Sequence, residues 1–349
     1  MLWKTLSKAF EGFAAALAVC VAIGTGAAAQ GFAGLGQGGD GFALPQPDPV
    51  FDFPADHGPH EGFRIEWWYL TATLRDAQGT RYGIQWTLFR SALSPEGPQV
   101  WMGHFGLTTP DAHYSAERLA RGGVGQAGVQ VAPFDAWIDD WQLAGPDLDR
   151  LTLRARTAET GYDLALSAQG PLVFHGDGGF SVKSASGQAS YYYSQPFYSV
   201  SGLLDLPSGP VEVTGEAWLD REWSSQPLEG DQEGWDWFSL HLDDGNRLMA
   251  FRLRGDGDYT YASWIAPDGR LTPYGDGALT LEPLTTAQVA GRTVPVRWRL
   301  RLPAEGVDLD VGAVNPQSWQ DTLFSYWEGP VTATGSHRAE GYLEMTGYE

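Results

Sequence analysis

The chain has 349 residues, 43% of them hydrophobic, with 22 basic against 43 acidic residues and a formal net charge of −21. That acidic excess speaks against nucleic acid and anionic membrane surfaces as partners. The length points to about two domains, and with Cys20 as the only cysteine no disulfide framework is possible, so the fold must rest on its core.

Residues 1–29 carry Lys4 and Lys8, then a small, apolar run over 13–28, then Ala27-Ala28-Ala29. This is the pattern of a Sec-type signal peptide cut near Ala29, which predicts a periplasmic or secreted protein. Gly24, Thr25 and Gly26 interrupt a run already short for a membrane span, so the chain does not read as an integral membrane protein. Val19 is a poor fit before a lipidated Cys20, and lipidation is the weaker reading. Residues 30–49, rich in Gly, Pro and Gln, read as a flexible leader.

From Phe51 onward the chain is a series of short β-like runs: 65–74, 82–89, 151–156, 162–167, 211–219, 247–253, 296–302 and 331–334. In 297–302, Arg alternates with Trp and Leu, which gives a strand two unlike faces. Turn signals recur at Asp76 to Gly79, Asp243 to Gly245, Pro267 to Gly269 and Pro303 to Gly306, as an antiparallel sandwich or barrel requires. Only 112–120 and 284–290 suggest a helical turn or two.

The chain also repeats itself. Glu66-Trp67-Trp68-Tyr69 aligns with Gly234-Trp235-Asp236-Trp237, so that Trp67 falls on Trp235, Tyr69 on Trp237 and Leu74 on Leu242. Tyr192, Pro196 and Gly202 precede Ala217-Trp218-Leu219-Asp220, just as Tyr326, Pro330 and Gly335 precede Gly341-Tyr342-Leu343-Glu344. Each unit opens with a Trp hairpin and closes with an aromatic-Leu-acid strand. Two domains are therefore expected, 50–225 and 226–349. Duplicated sheets that must hide their edges close into barrels, and a barrel of about eight strands has room inside for one small ligand.

Four separated motifs carry a family resemblance. They are Phe53-Pro54 with Asp56-His57-Gly58, His60 and Glu66-Trp67-Trp68-Tyr69; Asp220-Arg221-Glu222-Trp223-Ser224-Ser225-Gln226-Pro227-Leu228 leading to Gly234-Trp235-Asp236-Trp237; Tyr326-Trp327-Glu328-Gly329-Pro330; and Gly341-Tyr342-Leu343-Glu344-Met345-Thr346-Gly347-Tyr348. Together they resemble the AttH-type lipocalin-like proteins, relatives of carotenoid 1,2-hydratase (hydroxyneurosporene synthase). The resemblance covers about residues 51–348. It implies an all-β protein of two tandem lipocalin-like (calycin) antiparallel β-barrels. It also implies an ABC transporter as partner, and relatives that hydrate or cyclise apolar natural products. One departure stands out. Arg221 occupies the place of a His implicated in carotenoid hydration, while Trp223 is kept, and residues 248–250 are apolar where that chemistry calls for an acid. Arginine stays protonated and cannot serve as a general acid.

The candidate catalytic residues are Asp220, Glu222, Glu66 and His241. The candidate ligand-binding residues are Trp68, Arg221, Trp223, Trp235, Trp237 and Tyr342. In a strand, Glu66 and Trp68 share one face. A carboxyl among aromatics there has a raised pKa and can act as an acid; paired with Arg64 or Arg90 it closes the barrel instead. Asp220 and Glu222 also share a face, near the domain junction where ligand sites often form. Two carboxyls on one face push their pKa values apart, unless Arg221 ties them into a charge network. Trp235, Trp237 and His241 fall on one face of the second opening strand, so His241 is either a proton carrier or a core histidine. His57 and His60, with Asp56 and Glu61, have weak metal-ligand spacing and also suit a plug at the barrel mouth. No metal and no cofactor is expected, and no hydrolase elbow, phosphate loop or dinucleotide fingerprint is present. The sequence thus points to an exported protein binding an apolar, lipid or isoprenoid-like molecule. The alternative is a cofactor-free hydratase or isomerase acting on a polyene or other apolar substrate.

Overall fold

A computed structural model of the chain describes residues 39–226 and 228–348. The expected signal peptide, Cys20 and the first part of the leader lie outside the described residues. Residues 39–49 are irregular but fastened. Ala43 donates its N–H to the Gly62 carbonyl at 2.9 Å and accepts Ser225 Oγ at 2.6 Å. Gln46 N–H donates to the Tyr191 hydroxyl at 2.8 Å.

The protein is all-β. In chain order the first sheet comprises β1 (Ile65–Arg75), β2 (Arg81–Ala92), β3 (Gln99–Thr108), β4 (His113–Arg121), β5 (Ala127–Val131), β6 (Phe134–Ile138), β7 (Trp141–Gly145), β8 (Arg150–Arg156), β9 (Gly161–Ala168), β10 (Val173–Phe174), β11 (Phe180–Val182), β12 (Ala189–Leu206) and β13 (Gly209–Ser224). The second comprises β14 (Gly234–Leu242), β15 (Arg247–Arg254), β16 (Tyr259–Ile265), β17 (Leu271–Tyr274), β18 (Thr280–Val289), β19 (Arg292–Leu302), β20 (Val307–Ala313), β21 (Trp319–Gln320), β22 (Tyr326–Gly335) and β23 (Ala339–Met345). The main path of the first sheet runs β4-β3-β2-β1-β13-β12-β9-β8-β7-β6-β5, and that of the second β17-β16-β15-β14-β23-β22-β20-β19-β18. In each, the opening strand pairs antiparallel with the closing strand, β1 with β13 and β14 with β23. Both sheets curl into barrels.

The turns form where Asp and Gly predicted them. Asp76 Oδ1 accepts the N–H groups of Gln78 and Thr80 at 2.9 and 2.8 Å, and Gly79 takes φ +82°, a conformation that costs glycine least. The two helical expectations fail. Residues 112–120 fall largely in β4, paired with β3, and 284–290 fall largely in β18, paired with β19. A one- or two-turn helix leaves most of its backbone groups without internal partners, whereas a neighbouring strand satisfies them all along its length.

Each barrel is filled by its own side chains. Trp68, Leu70, Leu74, Ile84, Trp86, Phe105, Trp141 and Leu164 pack inside the first, and Phe238, Leu240, Leu248, Trp298, Leu300, Trp327 and Leu343 inside the second. Among the described residues these side chains occupy the barrel interiors where the sequence expected room for a ligand. A third buried cluster, including Tyr69, Tyr192, Trp218, Trp237, Phe251 and Tyr342, joins the barrels. This follows from period two: residues on one face of β1 and β14 fill their own barrel, and those on the other face meet the second barrel. The segment around the 3-10 turn Ala55–His57 covers the end of the first barrel, where His57 O accepts Trp68 Nε1 at 2.8 Å and the His60 ring stacks on Trp223 at 3.9 Å.

The seam is tight at Gly83, where an added Cβ would stand 2.6 Å from Pro330 Cγ and from the Tyr342 hydroxyl. Gly83→Val is expected to destabilise the protein by about 1–3 kcal/mol through overpacking. Urea unfolding measures it, and an unchanged midpoint would mean that the barrels part freely.

Candidate functional site

A cavity of about 170 Å³ lies between the two barrels. β1 presents Ile65, Trp67 and Tyr69 to it, β13 presents Asp220 and Glu222, β14 presents Trp235 and Trp237, and β15 presents Phe251 and Leu253; Glu344 comes from β23. Phe89, Lys183, Tyr192 and Tyr326 complete much of the wall.

The lining has a local twofold character. Tyr69 sits opposite Asp220 in the first sheet, and Trp237 sits opposite Glu344 in the second. Each of these aromatic residues then reaches into the other barrel. The Tyr69 hydroxyl donates to Glu328 Oε1 at 2.5 Å, and Trp237 Nε1 donates to the Tyr192 hydroxyl at 3.3 Å. The two rings meet edge to face with centroids 5.4 Å apart.

Asp220 is buried and accepts three hydrogen bonds. Ser194 Oγ and Trp218 Nε1 donate to Oδ1, the latter at 2.5 Å, and the Tyr192 hydroxyl donates to Oδ2 at 2.7 Å. Burial pushes its pKa up to about 7 despite these donors, and the charge of Glu222 adds to the rise. Glu344 behaves in the same way. Burial raises it to about 7 against the hydrogen bond from Trp235, and the charges of Asp220 and Glu222 push further. Glu328, just outside the lining, is also raised by burial and by the charge of Glu344. Lys183 Nζ pairs with Glu222 at 2.9 Å. That ammonium also lies over the rings of Phe251 and Tyr192, at 4.6 and 4.8 Å. Carboxyls with pKa values near neutrality can both give and take a proton at working pH.

Of the sequence candidates, Asp220, Glu222, Trp235 and Trp237 line this cavity. Glu66, Trp68, Arg221, Trp223, His241 and Tyr342 do not. Glu66 and Trp68 do share the barrel-facing side of β1, but Glu66 is ion-paired with Arg90 and with Arg221, the latter at 2.9 Å. Burial alone would raise its pKa; the His60 hydrogen bond and the charges of Arg221 and Arg90 outweigh burial and hold it at about 2. It remains a carboxylate and cannot act as an acid. Arg221 lies 3.9 Å above the Trp68 ring on the opposite face of β13 from Asp220 and Glu222, so it does not tie those two together. Trp223 belongs to the end cap of the first barrel, stacked on His60. His241 is buried against Trp218, and burial, with Arg247 second, holds its pKa well below the usual histidine range. It is a neutral packed histidine. Tyr342 is buried in the seam next to Gly83.

His57 Nδ1 is 2.7 Å from the Tyr193 hydroxyl, while His60 faces Glu66 and Asp56 at 3.1 and 3.2 Å. Among the described residues no group of three or more His, Cys, Asp and Glu is disposed to hold a metal.

Sequence reasoning passed over Trp67, Tyr69, Lys183, Tyr192, Tyr326 and Glu344 as site residues. Three of these had a signal, since Trp67 and Tyr69 align with Trp235 and Trp237, and Glu344 with Asp220, in the internal repeat. Lys183 had none. It follows the short β11, with no periodicity around it.

The family model that matches the chain is described as AttH-like and spans residues 44–348. An AttH protein from Nitrosomonas europaea, known from its crystal structure, is 34% identical, with a TM-score of 0.81 over 88% of this chain and 99% of that one. Kievitone hydratase from Nectria haematococca is 14% identical, with a TM-score of 0.67 over 87% of this chain and 95% of its own. CghA, crystallised with Sch210972, is 14% identical, with a TM-score of 0.54 over 89% and 97%. The last two share the fold alone. No curated protein matches the chain.

The buried acids predict two opposite pH effects on stability. Glu66, held at about 2 against an ordinary 4.5, contributes stability that is complete above pH 4.5 and is lost as pH falls towards 2, amounting to about 3 kcal/mol. Asp220 and Glu344, raised from 3.8 and 4.5 to about 7, keep protons that the unfolded chain has released, so stability declines as pH rises through that interval. Urea unfolding across pH should show Glu66→Gln flattening the acid limb and Asp220→Asn flattening the decline towards neutrality.

Proposed function

The chain belongs to the AttH-like family, and on that premise we propose that it binds an apolar small molecule in the cavity between its two barrels. One observation carries this reading: a partly open, largely apolar hollow walled by Trp67, Tyr69, Phe89, Tyr192, Trp235, Trp237 and Phe251. Fold alone would not suffice, since one architecture serves many functions. An apolar cavity of about 150 Å³ holds a benzene ring, so about 170 Å³ suits one or two rings, or the end of a longer lipid or isoprenoid. A whole carotenoid is too large. Its hydration is further disfavoured because Arg221 is sealed against Trp68 and Glu66.

A second reading is favoured by Asp220 and Glu344. Two carboxyls near neutrality beside a water-poor aromatic wall are suited to moving a proton on and off an unsaturated ligand. The protein would then be a cofactor-free hydratase or isomerase. A structural neighbour named as a hydratase is consistent with that chemistry on this fold. Export rests on residues 1–29, and service to an envelope ABC transporter rests on the family resemblance; both belong to this proposal.

Trp67→Ala and Trp235→Ala should each weaken binding of a fluorescent aromatic probe such as 1-aminoanthracene about tenfold or more, from the loss of roughly 1.5–3 kcal/mol of apolar burial. Unchanged titrations in both would place binding elsewhere. Native mass spectrometry of protein taken from its own host should show a bound apolar molecule and a mature chain that begins at Gln30. Given that molecule, Asp220→Asn combined with Glu344→Gln should abolish turnover under the second reading and leave binding largely intact under the first.

A further inference from the structure

Behind the cavity wall lie two buried histidines, one on each side of the local twofold, and they are wired differently. On the Asp220 side, His175 Nε2 is 2.7 Å from Ser194 Oγ and Nδ1 is 2.8 Å from Ser263 Oγ. Ser194 donates to Asp220, and Ser263 lies 3.1 Å from the Tyr261 hydroxyl. Every side chain in this chain of contacts is buried, so it ends inside the protein.

On the Glu344 side the contacts lead outward. His104 Nδ1 is 2.8 Å from the hydroxyl of Tyr326, which lines the cavity. His104 Nε2 is 3.4 Å from Glu117 Oε2, and the Glu117 side chain is 20% exposed. The imidazole itself is fully buried, with Phe89 in a T-shaped contact and Tyr326 stacked on it. Packing alone does not call for a histidine here. Counting across the strands from Tyr69 through Thr87 leads to His104, and counting from Trp237 through Phe251 leads to Tyr261. The second barrel fills the same position with a tyrosine.

We propose that Tyr326, His104 and Glu117 form a proton wire between the inter-barrel cavity and solvent. The proposal rests on the proton-transfer reading of the site and names the route by which its acids exchange protons with water. Burial keeps the His104 imidazole neutral, against the charge of Glu117; Nε2 makes no direct hydrogen bond, and its 3.4 Å gap to Glu117 Oε2 closes only when the carboxylate turns towards it. With Nε2–H facing the Glu117 carboxylate, Nδ1 is left to accept the Tyr326 hydroxyl. A proton reaching the Tyr326 oxygen from the cavity is balanced by transfer of the phenolic proton to Nδ1 and of the Nε2 proton to Glu117, which passes it to water. The reverse sequence brings one proton in. No electrons move and no co-reactant is consumed. Glu328, Glu344 and Tyr69 are the ionisable groups facing Tyr326 from the cavity side; among the described residues Glu117 is the ionisable group facing His104 from the outside. Tyr326 is the member at the cavity, and His104 and Glu117 act through it as positioning residues.

The wire can be tested without knowing the ligand. Rapid mixing of the full-length protein into D₂O at about pH 6, below the raised carboxyl values, should shift the infrared band of its buried protonated carboxyls. Glu117→Gln, an outward-facing change that keeps the acceptor for Leu323 N–H, should slow that shift about tenfold or more, as should Tyr326→Phe. His104→Ala should slow it too, and added imidazole should restore the rate. Unchanged rates in Glu117→Gln and Tyr326→Phe, at unchanged melting temperature, would overturn the wire and leave the acid pair standing. Absence of the protonated-carboxyl band in the unsubstituted protein would overturn the proton-transfer reading, and the wire with it.

Discussion

The structure depends on strands that are buried on both faces. β1, β13, β14 and β23 each fill their own barrel with one set of side chains and meet the second barrel with the other. A sheet with one solvated face alternates apolar and polar residues. These strands instead alternate two kinds of buried residue. The barrel-facing set is dominated by Leu, Ala and Trp; the seam-facing set is aromatic and acidic. Shifting any of these strands by one residue would exchange the two sets, driving Asp220 into the first core and Leu219 into the seam. Register is thus enforced from two sides, and the barrels cannot be treated as independent units on a tether.

The same double burial explains why acids on two paired strands behave differently. Glu66 and Asp220 are both fully buried, yet one is held far below the ordinary carboxyl range and the other far above it. The difference lies in what they touch. Glu66 meets two guanidinium groups, and breaking such a pair is far costlier than never having buried it. Asp220 meets only neutral donors, from Ser194, Tyr192 and Trp218. Hydrogen bonds from neutral groups offset part of the desolvation cost but supply no countercharge. The partition is orderly: Arg221 sits on the barrel side of β13 with Glu66, and on the seam side Lys183 pairs with Glu222.

Much of the fold was legible in the sequence because it rests on local signals. Asp-Gly turns, two-residue alternation and the repeated Trp hairpin are all set by near neighbours. The family resemblance rests on the same residues. The two failed helical turns, at 112–120 and 284–290, show the limit, since their fate was decided by neighbouring strands. The site was half legible. Asp220, Glu222, Trp235 and Trp237 were found through motif and alternation, but alternation cannot tell which face of a doubly buried strand is the hollow one. Under that ambiguity Glu66, Trp68 and Arg221 were candidates, and they lie on the barrel side rather than on the wall of the cavity. Lys183, His104 and Glu117 become neighbours of the cavity only through long-range pairing, which no local pattern encodes.

The reciprocal reach of Tyr69 and Trp237 has an evolutionary corollary. Self-complementary surfaces in which each copy grips the other are the mark of a twofold dimer. A lone barrel would own half a wall and no chamber, so the pocket cannot be older than the pairing. The simplest lineage begins with two identical subunits clasped about an axis, later joined by gene fusion. Joining frees the halves from identity: the seam carries Asp220 on one side and Glu344 on the other, and His104 stands where the second barrel has Tyr261. The asymmetry on which directional chemistry depends is what a symmetric homodimer is denied and a fused chain is free to acquire.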